Sequence, residues 1–250
     1  MKNKILAIPL MAISLVTLTA CEGSIASAVG GGWSGSMEEG NAISTTDSNP
    51  GDFTSISLLG PDNIIFTTDD DASIRAEGDA EVIERLRFEL DGDKLKVGRV
   101  REKKWGGYDK SATIYISAPS LRAAKLAGSG NIRVDQLNGD EAAVSIAGSG
   151  DVVVDEIDTK SLKARISGSG DMKLAGKAKN VSANVTGSGE LNGKGLSAET
   201  AELKVTGSGD VIMSSDGKVS AKVTGSGDIR VHGDAECTSK TTGSGEVKCS

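Results

Sequence analysis

The sequence predicts an all-β protein, a parallel β-solenoid of about seven coils of 18–20 residues with an N-terminal antiparallel β cap. Three observations carry that prediction. The tripeptide Gly-Ser-Gly recurs with first glycines at Gly128, Gly148, Gly168, Gly187, Gly207, Gly225 and Gly243, at intervals of 20, 20, 19, 20, 18 and 18. Apolar residues alternate with polar ones on both sides of every copy, the period of a strand with one buried face. The composition holds 33 glycines, 4 prolines and only 3 Phe, 2 Trp and 2 Tyr, which suits tight turns and a core of small and β-branched side chains.

The chain opens MKNKILAIPLMAISLVTLTAC: two lysines, an apolar run, and Ala20 just before Cys21. This reads as a signal peptide over residues 1–20 rather than a structural helix. Leu18-Thr19-Ala20-Cys21 resembles the bacterial lipobox, which makes Cys21 the expected lipidation site and mature N-terminus. Glu22, not Asp, follows it, which favours outer-membrane residence, facing either the periplasm or the outside. Cleavage removes Lys2 and Lys4 from the 28 basic residues, leaving 26 against 35 acidic and a formal charge of −9. That balance disfavours nucleic acid and anionic lipid as partners of the whole surface, so a membrane is reached through the lipid.

Residues 21–51 are rich in Gly, Ser and Thr without apolar period, and read as a flexible tether. GGGWSG at 30–35 fits a dinucleotide-binding glycine pattern but follows no strand and opens no helix, so no cofactor is expected there. Residues 52–119 form the N-terminal β region, with strand patterns in FTSISLLG, NIIFTTDDDASIRAEG, LRFELDGDKLKVG and SATIYISAP. AEVIERL suggests one short helical turn. A cap is needed because the first coil would otherwise expose apolar side chains and unpaired backbone.

Residues 120–250 are the repeat. Two positions before each first glycine stand Leu126, Ile146, Ile166, Val185, Val205, Val223 and Thr241; four positions after it stand Ile132, Val152, Met172, Leu191, Val211, Ile229 and Val247. Each unit is thus a strand, a corner and a second strand. No unit can bury its apolar face alone, and stacking coil on coil satisfies all seven. An antiparallel meander of hairpins is the competing arrangement, but it favours Asn-Gly or Asp-Gly turns.

Three groups of residues invite functional readings. The first is the column after the corners, Asn131, Asp151, Asp171, Glu190, Asp210, Asp228 and Glu246, which stacking would align. Carboxylates in a row suggest calcium, yet short acidic side chains at turns also accept hydrogen bonds from free backbone N–H groups, and that is the expected role. The second is the insertion REKKWGGYDKS at 101–111, where Trp105 and Tyr108 lie beside Lys103, Lys104 and Lys110. Exposed aromatics flanked by charge stack on sugars or anchor a protein, although a hairpin tip can also fold them inward. The third is the pair Cys237 and Cys249, six residues either side of Gly243. In an oxidising compartment they can staple the last coil, or remain free or pair between molecules. GSG lacks the following lysine and helix of a phosphate loop. The one histidine, His232, falls in a return loop, and no catalytic residues are identified.

The stretch FTSISLLGPDNIIFTTDDDASIRAEGDAEVIERLRFELDGDKLKVG, followed by ATIYISAPSLRAAKLAGSGNIRV and the GSGD/E units, resembles the auto-transporter adhesin head GIN domain family over residues 52–249. The resemblance implies a β-solenoid head at the bacterial envelope and transfers no catalytic residues. The expected function is a lipid-anchored, non-enzymatic envelope protein with an adhesin-like head that binds glycan or protein. The alternatives are a carbohydrate-active solenoid enzyme and a structural periplasmic spacer.

Overall fold

The structure, a computed structural model, describes residue 37 and residues 39–100 and 110–250. Its organising feature is a column of glycines. The first glycine of each GSG has φ between +119° and +145°, a conformation that side chains with a Cβ rarely adopt. Its carbonyl accepts two N–H groups from the next corner: Ser149 and Gly150 donate to Gly128 O at 3.0 and 3.3 Å, and the pattern recurs up to Ser244 and Gly245 on Gly225 O. The last glycine of each corner is there for space. A Cβ on Gly150 would lie 1.8 Å from Gly130 O.

The corners join long strands that stack in parallel, in register. They are β8 (Ala123–Gly128), β9 (Asn131–Gly148), β10 (Val152–Gly168), β11 (Met172–Gly187), β12 (Glu190–Gly207), β13 (Asp210–Gly225), β14 (Ile229–His232), β15 (Glu236–Gly243) and β16 (Val247–Cys249). The seven GSG corners span about six full turns. Inward positions alternate as the sequence pattern requires: Leu126, Ile146, Ile166, Val185, Val205 and Val223 are all 1% exposed or less. Each such side chain contributes about 1.5–3 kcal/mol through burial. The column stops being apolar at the last coil, where Ser239 and Thr241 are exposed.

The region before the repeat extends the same column. Strand β2 (Ser55–Gly60) pairs in parallel with β8, setting Gly60 opposite Gly128, and β3 (Asn63–Thr68) pairs in parallel with β9. Gly60-Pro61-Asp62 is therefore an eighth corner. Beneath it, β6 (Lys94–Arg99) and β7 (Thr113–Ala118) form a further coil, parallel to β2 and β3. The antiparallel part of the cap is the outermost layer: β4 (Ser73–Glu77) on β7, β5 (Leu86–Asp91) on β6, and β1 (Asn41–Ala42) on β5. The helical turn expected in AEVIERL is α1 (Ala80–Ile83), with Asp79 as its N-cap and Val82 buried.

One expectation needs correction. The tether expected over 21–51 does not run to residue 51, because Met37 and Ile43 are buried at 4% and 3% exposure and Asn41–Ala42 pairs with β5. Two isolated apolar residues give no period, yet each fills a place at the cap's edge, and the backbone satisfies an otherwise open strand. Cys21 lies outside the described residues. Among the described residues no helix is long and apolar enough to cross a membrane.

Candidate functional site

Where the other coils turn with three residues, the β6–β7 coil passes from Arg99 to Thr113, and the insertion occupies that corner. Its described base is fixed by one carboxylate. Asp62, fully buried, accepts hydrogen bonds from Arg99 Nε at 2.7 Å and Arg99 Nη2 at 2.6 Å, and its Oδ1 also accepts the Ala112 N–H at 2.8 Å. Arg99 Nη2 donates as well to the Lys110 carbonyl at 2.8 Å. The corner residue of one coil thereby holds both ends of the insertion in the coil beneath. Outside this buried node, Lys110 Nζ donates to Asp79 Oδ2 at 2.6 Å. That bond, with the Glu81 N–H, holds the Asp79 carboxyl below the ordinary carboxylate range and raises Lys110 above the ordinary lysine value. Trp105, Tyr108, Lys103 and Lys104 lie outside the described residues.

The acidic column is brought together as expected, and its hydrogen bonds run from coil to coil. Asn131 Oδ1 accepts the Asp151 N–H at 3.1 Å, Asp151 Oδ1 the Asp171 N–H at 3.0 Å, and Asp171 Oδ1 the Glu190 N–H at 2.8 Å. The run continues with Asp210 Oδ1 on the Asp228 N–H at 2.7 Å and Asp228 Oδ1 on the Glu246 N–H at 2.9 Å. It breaks once, at Glu190. Asp210 N–H turns instead to the Gly189 carbonyl at 3.2 Å. One oxygen of each capping aspartate is thus engaged with backbone. Among the described residues no three His, Cys, Asp or Glu side chains are placed to hold a metal ion.

The corners themselves offer no anion cradle, because the Ser and last-Gly N–H groups of each GSG are already given to the preceding coil. A depression of about 330 Å³ lies open on the face of β10–β12, lined by polar side chains including Ser161, Lys163, Asn180, Thr200 and Glu202. His232 ends β14 and is half-buried. Of the described aromatics, Phe53, Phe66 and Phe88 are buried in the core, and Tyr115 lies under Arg75, whose guanidinium sits 4.1 Å from the ring centroid. No ring stands free beside the acidic column among the described residues. Cys237 and Cys249 are bridged across the last coil, with Cα atoms 6.6 Å apart.

Asp62 and Arg99 were not singled out by sequence reasoning. The signal was present: around Gly60, Ile56 and Leu58 stand four and two positions before, and Ile64 and Phe66 four and six after, the spacing of the GSG units. An aspartate in place of the corner's last glycine marks where that corner does something else.

Comparison with known proteins agrees with this architecture. The chain is similar to a putative adhesin from Bacteroides fragilis, at 22% identity and a TM-score of 0.75, over 82% of this chain and 95% of the other. It is similar also to a putative lipid binding protein from Parabacteroides distasonis, at 21% identity and a TM-score of 0.65, over 84% and 98%. A putative adhesin from Parabacteroides merdae aligns at 22% identity and a TM-score of 0.59, over 84% and 98%. None of the curated proteins compared is a significant match. Residues 52–235 match the family described as putative auto-transporter adhesin, head GIN domain, and the chain belongs to that family.

Proposed function

We propose that the chain is a lipid-anchored, non-enzymatic protein of the bacterial outer membrane whose β-solenoid head binds glycan or protein at the envelope. The observation that carries the reading is the buried Asp62–Arg99 node, which fixes both ends of the corner that carries the insertion. A rigid base under a segment with two aromatics and three lysines suits presentation of that segment to a partner. Family membership supports an adhesin-like head, and Leu18-Thr19-Ala20-Cys21 supports the lipid. A carbohydrate-active enzyme would require paired carboxylates beside a sugar-stacking ring, an arrangement the described residues do not offer.

The test is retention of envelope material by the chain and by Trp105→Ala/Tyr108→Ala, with protease accessibility on intact cells to fix orientation. Loss of retention in the double variant supports the reading. Equal retention by both proteins rejects the insertion as the binding element, and no retention by either favours a structural spacer.

A further inference from the structure

The face that precedes the corners carries a charge opposite to that of the molecule. Its central outward column reads, in register from coil to coil, Lys125, Ser145, Arg165, Asn184, Lys204, Lys222 and Lys240. Two columns flank it on the same face. Ala123, Ala143, Lys163, Ser182, Glu202, Ser220 and Thr238 stand on one side, and Ala127, Ala147, Ser167, Thr186, Thr206, Thr224 and Thr242 on the other. These three columns over β8–β15 hold six basic side chains and one acidic, Glu202, on a chain whose formal net charge is −7. The acidic column lies past the corner, on the other side of the GSG turns. There the acidic residues stand beside basic ones, with Arg230 paired to Asp228 and Lys248 to Glu246, whereas the basic column before the corners has no acidic column beside it.

Four of the basic groups in the central column are available. Arg165, Lys204, Lys222 and Lys240 are exposed, and none of them forms an ion pair among the described residues. The hydroxyls of Ser167, Thr186, Thr206, Thr224 and Thr242 likewise make no side-chain hydrogen bond among the described residues, whereas Thr159 and Thr200 elsewhere on the same strands do. A row of unpaired cations beside a row of unpaired hydroxyls suits a linear ligand with acid groups and hydroxyls along its length. With strands about 4.8 Å apart, the central column is about 29 Å long, and Arg165, Lys204 and Lys240, on every second coil, recur about every 10 Å. A polysaccharide with one acid group on alternate sugars presents charge at a comparable interval.

We infer that this face is a binding surface for an acidic polysaccharide lying along the solenoid axis, with Arg165, Lys204, Lys222 and Lys240 meeting its acid groups and the Thr column its hydroxyls. An anionic membrane is the weaker fit. The three columns of this face carry no aromatic or large aliphatic side chain to enter a lipid interface. Duplex nucleic acid packs charge far more densely than this column does. The inference rests on the binding-head reading and names a different face from the 101–111 insertion, so the two are separable by variant.

The experiment measures binding of the full chain to hyaluronan, which bears one carboxylate per disaccharide, at 50 and 200 mM salt. Uncharged dextran, duplex DNA and phosphatidylglycerol vesicles are the comparators. Binding to hyaluronan that weakens with salt, and at least tenfold weaker binding by Lys204→Gln/Lys222→Gln/Lys240→Gln, are expected. Lys173→Gln/Lys177→Gln/Lys248→Gln, away from the central column, should bind as the parent does. Melting curves matching the parent's confirm that each variant is folded. Failure of the parent to bind, equal binding by the two lysine triples, or equal binding of DNA or vesicles overturns the inference. If envelope retention is lost in Trp105→Ala/Tyr108→Ala while hyaluronan binding stands, both readings hold.

Discussion

Arg99 meets Asp62 with two nearly parallel hydrogen bonds, 2.7 and 2.6 Å long, in a place where the carboxylate is wholly shielded from water. Removing one partner of such a pair leaves the other charged, buried and unanswered, which costs about 3–5 kcal/mol. Asp62→Asn should destabilise the chain by that amount in urea titrations. Asp62→Leu/Arg99→Met should recover more than half of the loss, because it removes both charges while leaving the Ala112 N–H and the Lys110 carbonyl without their partner. A cost below about 1 kcal/mol for Asp62→Asn would mean that the node does not hold the base of the insertion.

The corner glycines separate two physical demands. Gly150 has an ordinary backbone conformation, so its constraint is space alone: an added Cβ meets Gly130 O at 1.8 Å, which is backbone and cannot swing aside. Gly150→Ala should cost more than about 3 kcal/mol or prevent folding. Gly92 is the control. It has φ +62° with nothing within 4 Å of an added Cβ, and asparagine tolerates that region, so Gly92→Asn should stay within about 0.5 kcal/mol of the parent. Comparable losses at both positions would refute close stacking as the reason for the corners.

These two glycines also show what was legible in the sequence. The seven GSG copies fixed coil length, register and inward faces, because each coil repeats the same demand and the repetition itself is visible. The coils built from β2–β3 and β6–β7 were harder to see. Gly60-Pro61-Asp62 keeps the apolar spacing but not the tripeptide, and β6 pairs with β2 across a connection that carries the chain through the cap first. Buried partners such as Arg99 and Asp62 are 37 residues apart, and no local pattern links them. The gathering of basic residues into one outward column follows from register, which the sequence alone implies only once the coils are known to stack in parallel.

Asp171 distinguishes a backbone cap from a metal ligand. Its Oδ1 accepts the Glu190 N–H at 2.8 Å, a role that asparagine can fill and alanine cannot. Asp171→Asn should therefore melt close to the parent, helped slightly by relief of repulsion along the column, and Asp171→Ala should lose about 1 kcal/mol. Millimolar calcium added to chelator-treated protein should leave the melting temperature unchanged. A rise of several degrees, absent in Asp171→Asn, would reinstate a calcium ladder.

The last coil has a neighbour on one side only, and its inward positions Ser239 and Thr241 are exposed where earlier coils bury Ala, Val or Leu at the first and Leu, Ile or Val at the second. Its stability must come from elsewhere. The Cys237–Cys249 bridge spans a sequence separation of 12, and closing a loop of that size removes about 3 kcal/mol of chain entropy from the opened state. Reduction, or Cys237→Ser, should therefore raise amide exchange across residues 236–249 by roughly a hundredfold, taking about 1.4 kcal/mol per factor of ten. Strands β10–β12 should keep their protection, since each coil depends on its immediate neighbours. Exchange that is unchanged after reduction would show that the coil closes without the bridge. Exchange that rises through β10–β12 would show that the stack unfolds as one cooperative unit, with the bridge acting on the whole column.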